Sequence, residues 1–62
     1  MKGYYPVLMD IFRKHGVVFV RKGNGDHEIW RLGNNQTTVD KGVKNRYTAN
    51  AVLKQLGLKD RL

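Results

Sequence analysis

The chain has 62 residues and a formal charge of +7, from 12 lysines and arginines against five aspartates and glutamates. This length predicts a single domain, residues 1–62, with a thin core, and the absence of cysteine excludes disulfides and thiolate metal sites. The positive balance favours polyanionic partners, because binding releases the counterions of their phosphates. Neither a membrane-spanning apolar run nor a signal peptide is recognisable, so we expect a cytoplasmic protein that does not enter membranes.

The first predicted element is an amphipathic helix over residues 6–15, whose apolar residues recur at the spacing of one helical face. Pro6 suits its first turn, where a missing N–H costs nothing. Gly16 is the expected left-handed cap at its end. Val17 is then expected to pack back on Phe12, as in other helices that end at glycine.

Three strands are expected next, over residues 17–22, 26–32 and 36–40, because these stretches are rich in β-branched and aromatic residues. Gly-Asn-Gly at 23–25 and Gly-Asn-Asn at 33–35 are turn signals between them. Two successive hairpins predict a three-stranded antiparallel sheet.

Thr48 is the expected N-cap of a last helix that ends at Gly57 and carries one apolar stripe. Tyr47 is expected to pack on Val52, as a hydrophobic staple. The elements then follow the order helix, strand, strand, strand, helix. We predict an α+β fold in the αβββα arrangement of double-stranded-RNA-binding domains, with both helices packed on one face of the sheet.

Strand alternation sorts the second strand into two faces. It predicts that Glu28, Trp30 and Leu32 face the helices and that His27, Ile29 and Arg31 lie on the open face. Asp26 and Glu28 then point away from His27, so these three residues cannot enclose one ion and a metal site is disfavoured.

His27 is the candidate catalytic residue, because imidazole suits proton transfer near neutral pH. RNA carries its own nucleophile, the 2′-OH, and a base that removes the hydroxyl proton lets it attack the adjacent phosphorus. Lys22 and Arg31 are the cations nearest to His27 in the sequence, and either could stabilise the charge that develops on the phosphate. Composition alone favours the alternative that His27 is an ordinary polar turn residue.

Lys41, Lys44 and Arg46 form a basic stretch that leads into the last helix. Such residues beside free helix N–H groups can bind phosphate. A solvated connection is the equally open alternative.

Three motifs carry a family resemblance across nearly the whole chain. The glycine and apolar strand at 16–21, the Gly-Asp-His turn at 25–27 with Trp30 after it, and Leu-Lys-Gln-Leu-Gly-Leu at 53–58 occur in this order. In order and spacing the sequence resembles the HicA toxins of bacterial toxin–antitoxin systems, which are small mRNA interferases.

The resemblance implies a metal-independent endoribonuclease that acts on mRNA with His27 at the catalytic position and needs no small-molecule cofactor. It also implies a HicB-type antitoxin protein that covers the site. The chain departs from the family at Asp26, where serine is usual, and at Val39-Asp40, where Val-Pro is frequent. The match is poor from there to Thr48, so a role for the basic stretch rests on its charge alone.

Two other functions remain open on sequence grounds. One is a non-catalytic RNA-binding module of the same fold, although the last helix begins with Tyr-Thr-Ala-Asn at 47–50, where such modules have a lysine cluster. The other is a protein-binding module that uses the open sheet face around Ile29 and Arg31.

Overall fold

The computed structural model describes residues 3–62. Its elements are α1 (Tyr5–His15), β1 (Val18–Lys22), β2 (His27–Leu32), β3 (Asn35–Asp40) and α2 (Arg46–Gln55). The strands pair antiparallel in the order β1-β2-β3, so the predicted αβββα arrangement is confirmed. Across the described residues, no helix has the length and apolarity needed to span a bilayer.

Both helices pack on one face of the sheet, around a small apolar core. The core combines buried residues of both helices, β3 and the connections: Leu8, Phe12, Val17, Val39, Val43, Ala49, Val52, Leu53, Leu56 and Leu58. Trp30 and Leu32 of β2 pack against it, as the alternation predicts. The rings of Phe12 and Trp30 lie 5.1 Å apart between centroids, which ties α1 to the central strand.

Glycines end both helices in the left-handed conformation. Gly16 has a φ of 75°, and the Val17 N–H donates to the carbonyl of Phe12 at 2.9 Å, so the predicted cap of α1 is confirmed. Gly57 has a φ of 80° and closes α2 in the same way. A side chain at either position would strain the backbone, because L-residues other than glycine rarely adopt this conformation.

A β-bulge interrupts β1. Phe19 pairs with Trp30 and Arg21 pairs with Ile29, so Val20 is an extra residue between two pairs that are adjacent on β2. The Phe19 ring meets Trp30 edge-on at 5.5 Å, on the side that faces the helices, whereas Arg21 lies on the opposite side with Ile29. Residues two apart in a regular strand share a face, and the bulge separates these two.

The start of α2 differs from the sequence prediction. Asn45, not Thr48, is the N-cap: its side-chain oxygen accepts the backbone N–H groups of Tyr47 at 2.7 Å and Thr48 at 3.4 Å. The predicted packing of Tyr47 on Val52 is also wrong, because Tyr47 lies inside the helix and is 74% exposed. Asparagine is at least as good an N-cap as threonine. In the folded chain the first turn of α2 begins after Asn45, the earlier of the two candidates.

We predict that Asn45→Ala lowers the free energy of unfolding by about 1 kcal/mol, because two helical N–H groups lose their acceptor. Thr48→Ala is the matched control and should change it by less than about 0.5 kcal/mol. Urea unfolding followed by circular dichroism measures both. A larger loss for Thr48→Ala than for Asn45→Ala would contradict the observed cap.

Candidate active site

His27 stands at the start of the central strand, where a tight turn positions it. The Gly23 N–H donates to the His27 carbonyl at 2.8 Å, and the His27 N–H donates to the carbonyl of Asn24 at 3.0 Å. Gly25 adopts a φ of 59° between them. The imidazole is exposed and reaches back over this turn, so that Nδ1 lies 2.8 Å from the Asn24 carbonyl oxygen.

The bond to Asn24 determines which imidazole nitrogen is free. A carbonyl oxygen only accepts hydrogen bonds, so Nδ1 of His27 must carry a proton to form this bond. In the neutral ring, Nε2 then holds the lone pair. The turn therefore presents Nε2 to solvent as a base.

His27 lies at a depression of about 420 Å³ on the open face of the sheet. The other residues that line it come from β1, its turn and the two neighbouring strands: Arg21, Lys22, Gly23, Asn24, Ile29 and Thr38. Ile29 is only 8% exposed and lies on the side of β2 away from the helices. The depression thus joins an apolar patch to cationic and hydrogen-bonding groups, a combination that suits a phosphate with its attached sugar or base.

Arg21 is the cation that sequence reasoning missed. The bulge at Val20 places it on the face of His27, as the cross-strand partner of Ile29. An arginine offers five N–H donors in a planar fork that matches phosphate oxygens. The sequence left the face of Arg21 open, because the first strand has apolar residues at both odd and even positions and no distinctive residue marks the bulge.

Of the two cations that the sequence placed beside His27, Lys22 lines the same depression and Arg31 does not. Lys22 lines the depression where β1 ends, and its cross-strand partner is Glu28. Arg31 does lie on the open face, four residues along β2 from His27. At about 3.3 Å per residue this is roughly 13 Å along the strand, and Arg31 does not line the depression around His27.

The predicted basic stretch lies at the same end of the sheet as His27. Lys41 follows β3, and its N–H donates to the carbonyl of Asp26 at 3.0 Å. Lys44 and Arg46 follow in the exposed connection and the first turn of α2. The Tyr4 N–H donates to Val43 in this connection at 2.8 Å, so both helices begin at this end.

The two ends of the molecule differ in their ion pairs. Among residues 3–62, the ion pairs join Asp10 to Arg13 and Asp60 to Lys14 and His15, all on or next to α1. None of the described basic residues at the His27 end belongs to an ion pair. Their charge is therefore available to an anionic ligand, and the helix N-termini add to it.

Glu28 has a structural role on the helix-facing side. One carboxylate oxygen accepts the hydroxyl of Tyr5 at 2.8 Å and the indole N–H of Trp30 at 3.0 Å. Burial, together with the bond to the Glu28 carboxylate and its charge, raises the pKa of Tyr5 to about 12. Glu28 is thus held away from His27, as the alternation predicts.

Asp40 is the acidic residue that pairs with His27 across the sheet, and sequence reasoning did not single it out as a neighbour. It is the cross-strand partner of His27 on β3, and its carboxylate accepts the N–H of Gly42 at 2.8 Å. Within the described part of the chain, no three histidine or acidic side chains come together as a metal site.

Comparison of the chain with protein-family models, with curated proteins and with solved structures gave no significant match. The family resemblance therefore stays a prediction from the motifs, and the case for function rests on the residues around His27.

We predict that the neutral imidazole of His27 carries its proton on Nδ1, because the Asn24 carbonyl accepts it there. Nitrogen-15 NMR of the imidazole rings at a pH where they are neutral distinguishes the two tautomers. His15, whose Nε2 lies 2.9 Å from Asp60, provides the internal comparison, with its proton expected on Nε2. A neutral His27 protonated on Nε2 would contradict the proposed orientation of its lone pair.

Proposed function

We propose that the protein is an endoribonuclease that cuts mRNA with His27 and acts as the toxin of a HicA-type toxin–antitoxin pair. One observation carries the proposal. The bond from Nδ1 to the Asn24 carbonyl leaves Nε2 as an accessible base in a depression that also holds Arg21. The toxin role, the cytoplasmic location and the HicB-type antitoxin come from the motif resemblance.

The reaction uses the nucleophile that RNA contains. Nε2 of His27 takes the proton of a 2′-OH, the 2′ oxygen bonds to the adjacent phosphorus, and the bond from phosphorus to the 5′ oxygen breaks. The imidazolium returns the proton to the leaving oxygen, so the products are a 2′,3′-cyclic phosphate and a 5′-OH. Asn24 holds the ring in place through both transfers, because its carbonyl accepts from Nδ1 in the neutral and the charged form.

Arg21 stabilises the negative charge that develops on the phosphate oxygens during attack. Lys22, Lys41, Lys44 and Arg46 contact the neighbouring phosphates at the same end of the sheet and position the strand. Arg31, farther along the open face, contacts the RNA backbone beyond the cleavage site. Ile29 lines the depression beside His27, which supports a place for the sugar or base next to the scissile bond.

We expect His27→Ala to lower RNA cleavage by at least about 10²-fold, since it removes the general base. Expression of the variant should also not arrest growth. His15→Gln is the matched control, because His15 is the only other histidine of the chain and pairs with Asp60 at the opposite end. It should cut RNA as the wild type does.

The chemistry is tested on an RNA oligonucleotide that contains a single 2′-deoxy residue. This oligonucleotide should resist cleavage only at that position. A chelator should have no effect. Equal activity of wild type and His27→Ala would remove His27 from the reaction. Tight RNA binding without cleavage by the wild type would favour the non-catalytic RNA-binding module instead.

Arg21 and Arg31 make a second matched pair, since both lie on the open face but only Arg21 lines the depression. Arg21→Ala should lower kcat by about 10²-fold with little change in KM, because it acts on charge that develops in the transition state. Arg31→Ala should raise KM and leave kcat close to that of the wild type. Steady-state kinetics on a fluorescent oligonucleotide measures both, and the reverse pattern would contradict the placement of Arg21.

A further inference from the structure

The β1 edge of the sheet, called the free edge below, carries an apolar surface that RNA cleavage does not use. β1 is an edge strand and all of its residues are exposed. Val18, Phe19 and Val20 are 48%, 48% and 39% exposed. Edge strands commonly carry charges or bulges that hinder pairing with other chains. This one has a bulge at Val20, but three exposed apolar residues stand in a row before its first charge.

A groove lies beside this edge, between α1 and the sheet. It has a volume of about 250 Å³ and is lined by Met9, Phe12, Arg13, Val17 and Trp30. This volume exceeds the roughly 150 Å³ of a cavity that can hold a benzene ring. We call it the β1 groove.

The β1 groove and the free edge form one surface, because the Phe19 ring packs edge-on against Trp30 at 5.5 Å. The groove opens on the helix-facing side of the sheet, and the His27 depression opens on the other side. An occupant of the β1 groove would therefore contact a different part of the molecule from the RNA.

The chemistry of the surface indicates what binds it. A free strand edge offers backbone N–H and C=O groups that an extended polypeptide can pair with, while a groove beside it can take a side chain of that polypeptide. RNA has no backbone amides for such a ladder. Charge selects the partner further, because the chain carries +7 and its field favours an acidic segment over a neutral or basic one.

A second copy of the chain would bring another +7 to this edge, and repulsion would oppose the pairing. We propose that an extended acidic segment of a partner protein adds a strand to the free edge of β1 and inserts a large apolar side chain into the β1 groove over Trp30. The inference is independent of RNA cleavage.

A ten-residue peptide that alternates leucine or phenylalanine with aspartate or glutamate is the probe. Trp30 is the single tryptophan of the chain, so its fluorescence reports directly on the β1 groove. We expect a saturable fluorescence change, together with NMR shifts of the backbone amides of β1. N-methylation of alternate peptide amides should weaken binding by about tenfold or more, because it removes ladder hydrogen bonds. A peptide with lysine in place of the acidic residues should not bind.

Two valines provide matched protein variants. Val20 on the free edge and Val7 on α1 are 39% and 42% exposed, and Val7 does not line the β1 groove. Val20→Ser should weaken binding of the acidic peptide several-fold, and Val7→Ser should not. Circular dichroism checks that both variants fold, and the N-methylated peptide tests the same edge on the unaltered protein.

Four results would overturn the proposal. They are the absence of binding, equal binding of the N-methylated peptide, shifts confined to the His27 depression, and equal binding of the lysine peptide. Sedimentation of the protein alone tests whether a second copy of the chain occupies the free edge instead. A dimer that Val20→Ser dissociates would assign the edge to a second copy of the chain, and a monomer is the expected result.

Discussion

The contact between Phe12 and Trp30 is the interaction on which the rest of the structure depends. It buries one face of β2 under α1, and because side chains alternate along a strand, it leaves His27 on the other face. A shift of one residue in the pairing would exchange the two faces. Glu28 opposes such a shift, since its carboxylate has both of its hydrogen-bond donors, Tyr5 and Trp30, on the helix-facing side.

The bulge in β1 places the side chains of Phe19 and Arg21 on opposite faces of the sheet. Phe19 extends the aromatic contact to Trp30, and Arg21, two residues later, lies beside His27 on the opposite face. A regular strand would have put both on one side, with either the phenylalanine stranded on the open face or the arginine directed toward the helices. Bulges often re-aim a side chain next to a functional site, and this one places Arg21 on the face of His27 and in the same depression.

In this small fold, the two ends of the molecule and the two faces of the sheet have different properties. Ion pairs hold the far end, where α1 finishes against the C-terminal residues, while the end with His27 keeps its positive charges unpaired among the described residues. The sheet has a polar depression on one face and an apolar groove on the other. One thin layer can therefore present an anion-binding surface and a peptide-binding edge without overlap between them.

Local patterns in the sequence determined the order of the elements, the glycine caps and the two faces of β2, because each depends on residues within a few positions of one another. The structure gave a different cap for α2, since Asn45 and Thr48 are both suitable and only the folded connection selects between them. Alternation put His27 on the open face, and the motif resemblance supplied its proposed chemistry. Only the tertiary structure decided which groups stand around it. The bulge that brings Arg21 and the pairing of His27 with Asp40 arise from contacts between strands, which no single strand encodes. The carbonyl of Asn24 that orients the imidazole depends on the conformation of the turn before β2.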